Sequence, residues 1–216
     1  MKKGLTELVF ILDRSGSMHG LESDTVGGFN SMLMKQQKVD GTAYVSTVLF
    51  NDMSEVLHDR VDLAQMQPMT EEDFQVGGRT ALLDAVGDAI RHIGNVHKYA
   101  REEDKPEQTI FVIITDGLEN ASYRYTTNGV KQMIEDKKRI CGWEFLFLGA
   151  NMDAVETAGR LGIRENRSAS YSCDSQGLEV MYERMDSSLL CLRREKTLSP
   201  DWKKPIEEGL CKRHGK

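Results

Sequence analysis

Short apolar runs alternate with stretches of helical period along this chain, and that alternation predicts a mostly parallel sheet covered by helices. Residues 8–12 (LVFIL) are the first strand, 109–115 (TIFVIIT) the most apolar one, and 144–148 (EFLFL) a third. Unbroken apolar runs of this length suit strands buried on both faces. Residues 25–38 place Val26, Phe29, Met32 and Leu33 on one helical face, and 81–99 do the same with Leu82, Leu83, Val86, Ala89, Ile90 and Ile93. Gly27 and Gly28 weigh against the first helix, since each glycine costs about 1 kcal/mol there. Residues 43–50 and 55–61 read as strands joined by Asn51-Asp52-Met53-Ser54, a hairpin-length connection that makes one of them antiparallel. Further helices are expected over 127–140, 152–161 and 177–194, with a weak strand over 168–172. The fold class expected is α/β, a Rossmann-like doubly wound sheet with one antiparallel edge strand. Residues 1–194 form the domain, and 195–216 a charged tail whose Pro200, Pro205 and lack of periodicity predict disorder or loose packing. Trp202 within it is suited to anchor the tail to the domain or to a partner.

Composition narrows the function. At 216 residues the chain can bury a core without disulfides, and 39% hydrophobic with 29% charged residues is ordinary for a globular protein. A net charge of -6 gives no basic footprint for nucleic acid. The opening MKKGLTELVFIL is interrupted by Glu7, against an export signal, and no apolar run approaches the eighteen or so residues of a membrane helix. Cys141, Cys173, Cys191 and Cys211 contain no CxxC pair, so reduced, mostly buried thiols are expected. These readings predict a soluble, cytoplasmic protein with no membrane or nucleic-acid role.

Both central apolar runs end in aspartate. The first opens onto Asp13-Arg14-Ser15-Gly16-Ser17, and the run over 109–115 onto Asp116-Gly117. In an open α/β sheet, ligands bind beyond the carboxyl ends of strands flanking the point where strand order reverses. Thr80, in Gly77-Gly78-Arg79-Thr80, sits where a loop meets the next helix. Two carboxylates and three hydroxyls suit a hard divalent cation. Because two aspartates only neutralise a dication, such a site wants one more anionic ligand from outside. The alternative is that these residues cap loops and helices locally, but capping needs one such residue per loop, not three at alternate positions.

Asp13, Ser15, Ser17, Thr80 and Asp116, in this order among the elements, resemble the von Willebrand factor type A (vWA) domain and its metal-ion-dependent adhesion site. The resemblance runs over residues 6–194, and all five motif positions match. It implies a six-strand sheet with a magnesium or manganese ion at its top. Ser15 and Ser17 would bind directly, Thr80 or an aspartate would alternate between direct and water-mediated contact, and a protein partner's Asp or Glu would complete the shell. A metal-dependent protein-binding module, an intracellular assembly or regulatory component, is therefore expected rather than an enzyme. The alternative is a metal-assisted hydrolase of a phosphate ester with Arg14 or Arg79 steadying charge, although no residue stands out as its general base. His92 and His97 are spaced off the i, i+4 metal pair and are expected to be satisfied elsewhere. His19 is expected to be solvated, Glu119 and Asn120 either to line the rim or to start the following helix, and the methionines to fill the core. Neither the partner nor the oligomeric state is legible.

Overall fold

A computed structural model describes residues 1–150 and 153–214, with side chains to residue 210. The element order is β1 (Lys2–Asp13), α1 (Glu22–Gln36), β2 (Thr42–Phe50), β3 (Ser54–Asp62), α2 (Leu82–Tyr99), β4 (Pro106–Thr115), α3 (Thr127–Cys141), β5 (Glu144–Ala150), α4 (Ala154–Arg160), β6 (Ser168–Tyr171), α5 (Ser175–Glu195) and α6 (Lys204–His214). The expected start of the fourth helix at Met152 lies outside the described residues. Six strands form one sheet in the order β3-β2-β1-β4-β5-β6. Only β3, at one edge, runs antiparallel, and it pairs with β2.

Side-chain alternation on β1 divides the core. Leu8, Phe10 and Leu12 point into a cluster with Phe29, Met32 and Leu33 of α1 and Leu178, Met181, Met185 and Leu189 of α5. Val9 and Ile11 point the other way, toward Val86, Ile90 and Ile93 of α2 and Val130 and Ile134 of α3. Both faces are covered, which is why β1 and β4 read as continuous apolar runs. Helix α1 forms despite its glycines. A side-chain carbon at Gly28 would fall 2.3 Å from the Tyr182 ring, so the glycine lets α5 approach, and packing outweighs propensity.

Strand order reverses between β1 and β4: β1 leads through α1 to β2 on one side, while β4 leads through α3 to β5 on the other. Leu12 pairs with Ile114, so Asp13 and Thr115 emerge together at the carboxyl end of the sheet.

Two expectations are corrected. Residues 196–214 are ordered, and Lys204–His214 form α6. Trp202 and Ile206 are 6% and 2% exposed and join the α5 side of the core, and the Trp202 Nε1 donates to the Asn166 carbonyl at 3.0 Å. Two apolar anchors dock this segment without any extended periodicity. The thiols are less buried than expected, Cys141 being exposed and Cys173 and Cys191 half-buried, while the Cys211 side chain lies outside the described residues. Most of the described methionines fill the core as expected, Met18, Met32, Met66, Met69, Met181 and Met185 being buried, while Met1, Met34 and Met53 are exposed.

Candidate metal centre

Three loops meet at the carboxyl ends of β1 and β4. The first is held by its own aspartate: Asp13 Oδ1 accepts from the Ser15 amide at 2.8 Å, and Oδ2 accepts from the Thr115 hydroxyl at 2.6 Å. Both oxygens are thereby occupied, and they fix the turn that presents the serines. Ser15 Oγ and Ser17 Oγ lie 3.1 Å apart, and Ser17 donates to Asp116 Oδ1 at 2.7 Å. Octahedral magnesium, with bonds of 2.0–2.1 Å, sets neighbouring oxygens about 2.9 Å apart. Both separations fall close to that edge.

The second loop carries Thr80. Gly78 accepts at its carbonyl from the Gly16 amide at 3.1 Å, and Gly77 donates to the Arg14 carbonyl at 2.9 Å, which ties the loop to the first. Gly78 adopts φ +78°, and a side-chain carbon there would meet Asp52 Oδ2 at 2.0 Å, so only glycine serves. Asn120 clasps Thr80 from the third loop, its side-chain oxygen accepting from the Thr80 amide at 2.9 Å while its own amide donates to the Thr80 carbonyl at 3.0 Å. Glu119 Oε2 accepts from the Leu83 amide at the start of α2, and its Oε1 accepts from the Ala121 and Ser122 amides. Asn120 and Glu119 thus position the threonine and the loop.

A carbon built on Gly117 would stand 2.8 Å from Thr80 Oγ1, 3.5 Å from Ser17 Oγ and 3.7 Å from Ser15 Oγ. Three hydroxyls therefore surround one small space, with Asp116 beside it. Asp13, Ser15, Thr80 and Asp116 are buried, whereas Ser17 is exposed, leaving one open side. Burial pushes the carboxyls of Asp13 and Asp116 above the ordinary aspartate range, and in Asp13 the nearby Asp116 charge adds to it. Two desolvated carboxylates without a basic partner fit a cation. Among the described residues no group of three or more His, Cys, Asp and Glu side chains is placed to hold a metal, so a cation here depends on the hydroxyls.

The remaining candidates lie elsewhere. Arg14 donates to Glu55 at 2.7 Å and Arg79 pairs with Asp52 at 2.9 Å. His92 pairs with Asp59, His97 with the buried Glu7, and His19 with Glu22. Sequence reasoning missed Thr115, although it adjoins Asp116. It also missed Asp84, whose carboxylate gathers the amides of Tyr123, Arg124 and Tyr125. Cys173, beyond β6, was missed as a site residue too: its Sγ donates to Asp116 Oδ2 at 3.7 Å, a contact no local pattern announces.

No family model and no curated protein sequence matches the chain. Solved structures do. The vWF domain of the type V pili tip protein Mfa5 from Porphyromonas gingivalis has a TM-score of 0.62 at 11% identity, over 85% of this chain and 94% of that one. Proximal thread matrix protein 1 from the mussel byssus, with a zinc-occupied MIDAS motif, has a TM-score of 0.59 at 17% identity, over 87% and 46%. Manganese-loaded TRAP protein from Plasmodium vivax has a TM-score of 0.56 at 15% identity, over 80% and 70%. The fold is that of von Willebrand factor type A domains, as the loop motifs suggested. The chain spans less than half the length of the mussel protein and of a von Willebrand factor type A protein from Catenulispora acidiphila.

Proposed function

We propose that this chain is a metal-dependent protein-binding module. Ser15, Ser17, Thr80 and Asp116 would hold magnesium or manganese, with Asp13 behind them orienting the first loop and reaching the ion through water. The bound cation supplies a Lewis-acidic point for an anionic ligand, and the open side at Ser17 is where a partner's Asp or Glu would arrive. The observation that carries this reading is the convergence of the Ser15, Ser17 and Thr80 hydroxyls around the space above Gly117, beside Asp116. Leu118, 62% exposed and two residues beyond Asp116, offers an apolar contact next to that acid. The metals named for the mussel and Plasmodium structures are in keeping with a divalent ion here. A cytoplasmic location belongs to the same proposal, and cell fractionation checks it.

The hydrolase alternative asks Arg14 or Arg79 to steady a phosphate, yet Glu55 and Asp52 engage both guanidinium groups. Turnover of a generic phosphate ester, lost in Asp116→Ala, would revive it. The binding reading is tested with EDTA-stripped protein and titrated magnesium or manganese. Wild type should show a saturable rise in unfolding midpoint that Asp13→Ala and Thr80→Ala lose. With the metal present, wild type alone should retain an immobilised Asp- or Glu-containing peptide library. A midpoint rise kept by both variants would overturn the assignment.

A further inference from the structure

A cavity of about 570 Å³ opens beside Glu144, the first residue of β5, at the opposite end of the sheet from Asp13 and Asp116. Small-molecule sites run to roughly 300–1,000 Å³, so it is large enough to hold a ligand. The end of α3 gives it Lys138 and Arg139, and the turn between α4 and β6 gives it Arg164 and Arg167. Four cationic side chains therefore line one recess of a chain whose net charge is -6. Glu135 and Glu144 line it as well.

Pairing decides what those charges can do. Arg167 Nε lies 2.9 Å from Glu144 Oε2, Arg139 pairs with Asp136 at 2.8 Å, and Glu135 faces Lys131 at 4.0 Å. Both carboxylates of the recess are thus engaged. Among the described residues neither Lys138 nor Arg164 has an ion-pair partner. Lys138 is half-buried and anchored, its Nζ donating to the Gly162 carbonyl at 2.9 Å, and an ammonium held by one bond keeps two further donors. Burial, together with the Arg164 and Arg167 charges, holds this ammonium below the ordinary lysine value in spite of Glu144 and Glu135. The recess is short of negative charge.

We propose that this recess binds a small phosphate monoester, with Lys138 and Arg164 holding the dianionic head and the Asn166 side-chain amide, also in the lining, donating beside them. A guanidinium fork and an ammonium match phosphate oxygens, and a concave site of one sign draws an anion more strongly than the same charges dispersed over a surface. The confined volume and the acidic balance of the whole chain favour a small ligand over a nucleic-acid backbone, which needs an extended basic face.

Both tryptophans of the chain report on this site, since Trp143 lines the recess and Trp202 donates to the Asn166 carbonyl. Inorganic phosphate and glycerol phosphate, each titrated at constant ionic strength into EDTA-treated protein, should change tryptophan fluorescence saturably, whereas chloride should not. Arg164→Ala and Lys138→Gln should each weaken binding by roughly tenfold or more, as loss of a charge-assisted hydrogen bond implies. Because Arg164 is exposed, Arg164→Ala should unfold near the wild-type midpoint, so its lost binding does not reflect a lost fold. Arg91→Ala, on α2 and paired with Asp88, should bind phosphate as wild type does. Asp116→Ala should too, which separates this recess from the metal centre. No response beyond that to chloride, or a response that survives in both Arg164→Ala and Lys138→Gln, would overturn the proposal. So would an RNA oligonucleotide that binds more tightly than glycerol phosphate and loses that advantage in the same variants, because the face would then serve a polyanion.

Discussion

Gly117→Ala perturbs the centre by a single methyl group. Its backbone lies outside the left-handed region, so alanine brings no φ strain there. The new carbon would sit 2.8 Å from Thr80 Oγ1 and within 3.7 Å of both serine hydroxyls, closer to the threonine than real side-chain carbons approach. Either the hydroxyl moves or the space for a cation shrinks. A metal at a hundred times its dissociation constant stabilises the native state by about 2.7 kcal/mol, which for a chain of this size raises the midpoint by roughly 5 to 11 °C. Weakening affinity tenfold leaves about 1.4 kcal/mol at the same metal concentration, hence a rise of only roughly 3 to 6 °C. The assay is thermal unfolding of stripped protein with and without magnesium, followed by circular dichroism. Gly27→Ala is the control, because nothing lies within 4 Å of a carbon built there. It should stabilise α1 by roughly 0.5–1 kcal/mol and leave the metal-dependent rise unchanged. A Gly117→Ala protein with the full wild-type rise would refute the idea that the cation sits among these hydroxyls.

Asp116→Asn should raise the midpoint of the metal-free protein at neutral pH and abolish its response to metal. Burial holds the Asp116 carboxyl above its ordinary value, so the folded state keeps its proton longer, and that group's contribution to stability falls as pH rises through the window between the two values. Asp84 has the opposite sign. Burial pushes it up, but the amides of Tyr123, Tyr125 and Arg124 outweigh burial and hold it below the usual range. Its stabilisation is present above the ordinary aspartate value and lost as pH falls through the folded one. Asp84→Asn should cost about 1–3 kcal/mol in urea unfolding at pH 7, with a smaller cost in acid. Trp202→Ala should cost about 3–5 kcal/mol in the same assay; a change under 1 kcal/mol would mean that the terminal segment does not belong to the cooperative core.

Much of this protein is local and therefore legible in its sequence. The apolar runs and helical periods placed the elements from α1 to α5 to within about three residues, because the unbroken run of a strand covered on both faces and the i, i+3, i+7 stripe on α1 follow from which faces are buried, whereas β1 begins at Lys2, six residues before its apolar run. The loop motif around Asp13, together with Thr80 and Asp116, was visible because each short segment must itself offer oxygen atoms. Tertiary structure decided how those segments are held. Thr115 fastens Asp13 only because β1 and β4 are neighbours in register, Asn120 reaches Thr80 across 40 residues, and Tyr182 explains Gly28 only once α5 lies on α1. Ion pairing likewise settled the fate of Arg14 and Arg79, and docking on α5 ordered a segment with no periodicity to read. Cys173 shows the limit most sharply. It lies 57 residues from Asp116, in a stretch with no motif of its own, and its contact with that carboxylate comes from the length of β6 and the path of the loop after it. Local pattern encodes what a segment can become, whereas which distant side chains meet depends on the strand order and register of the whole sheet.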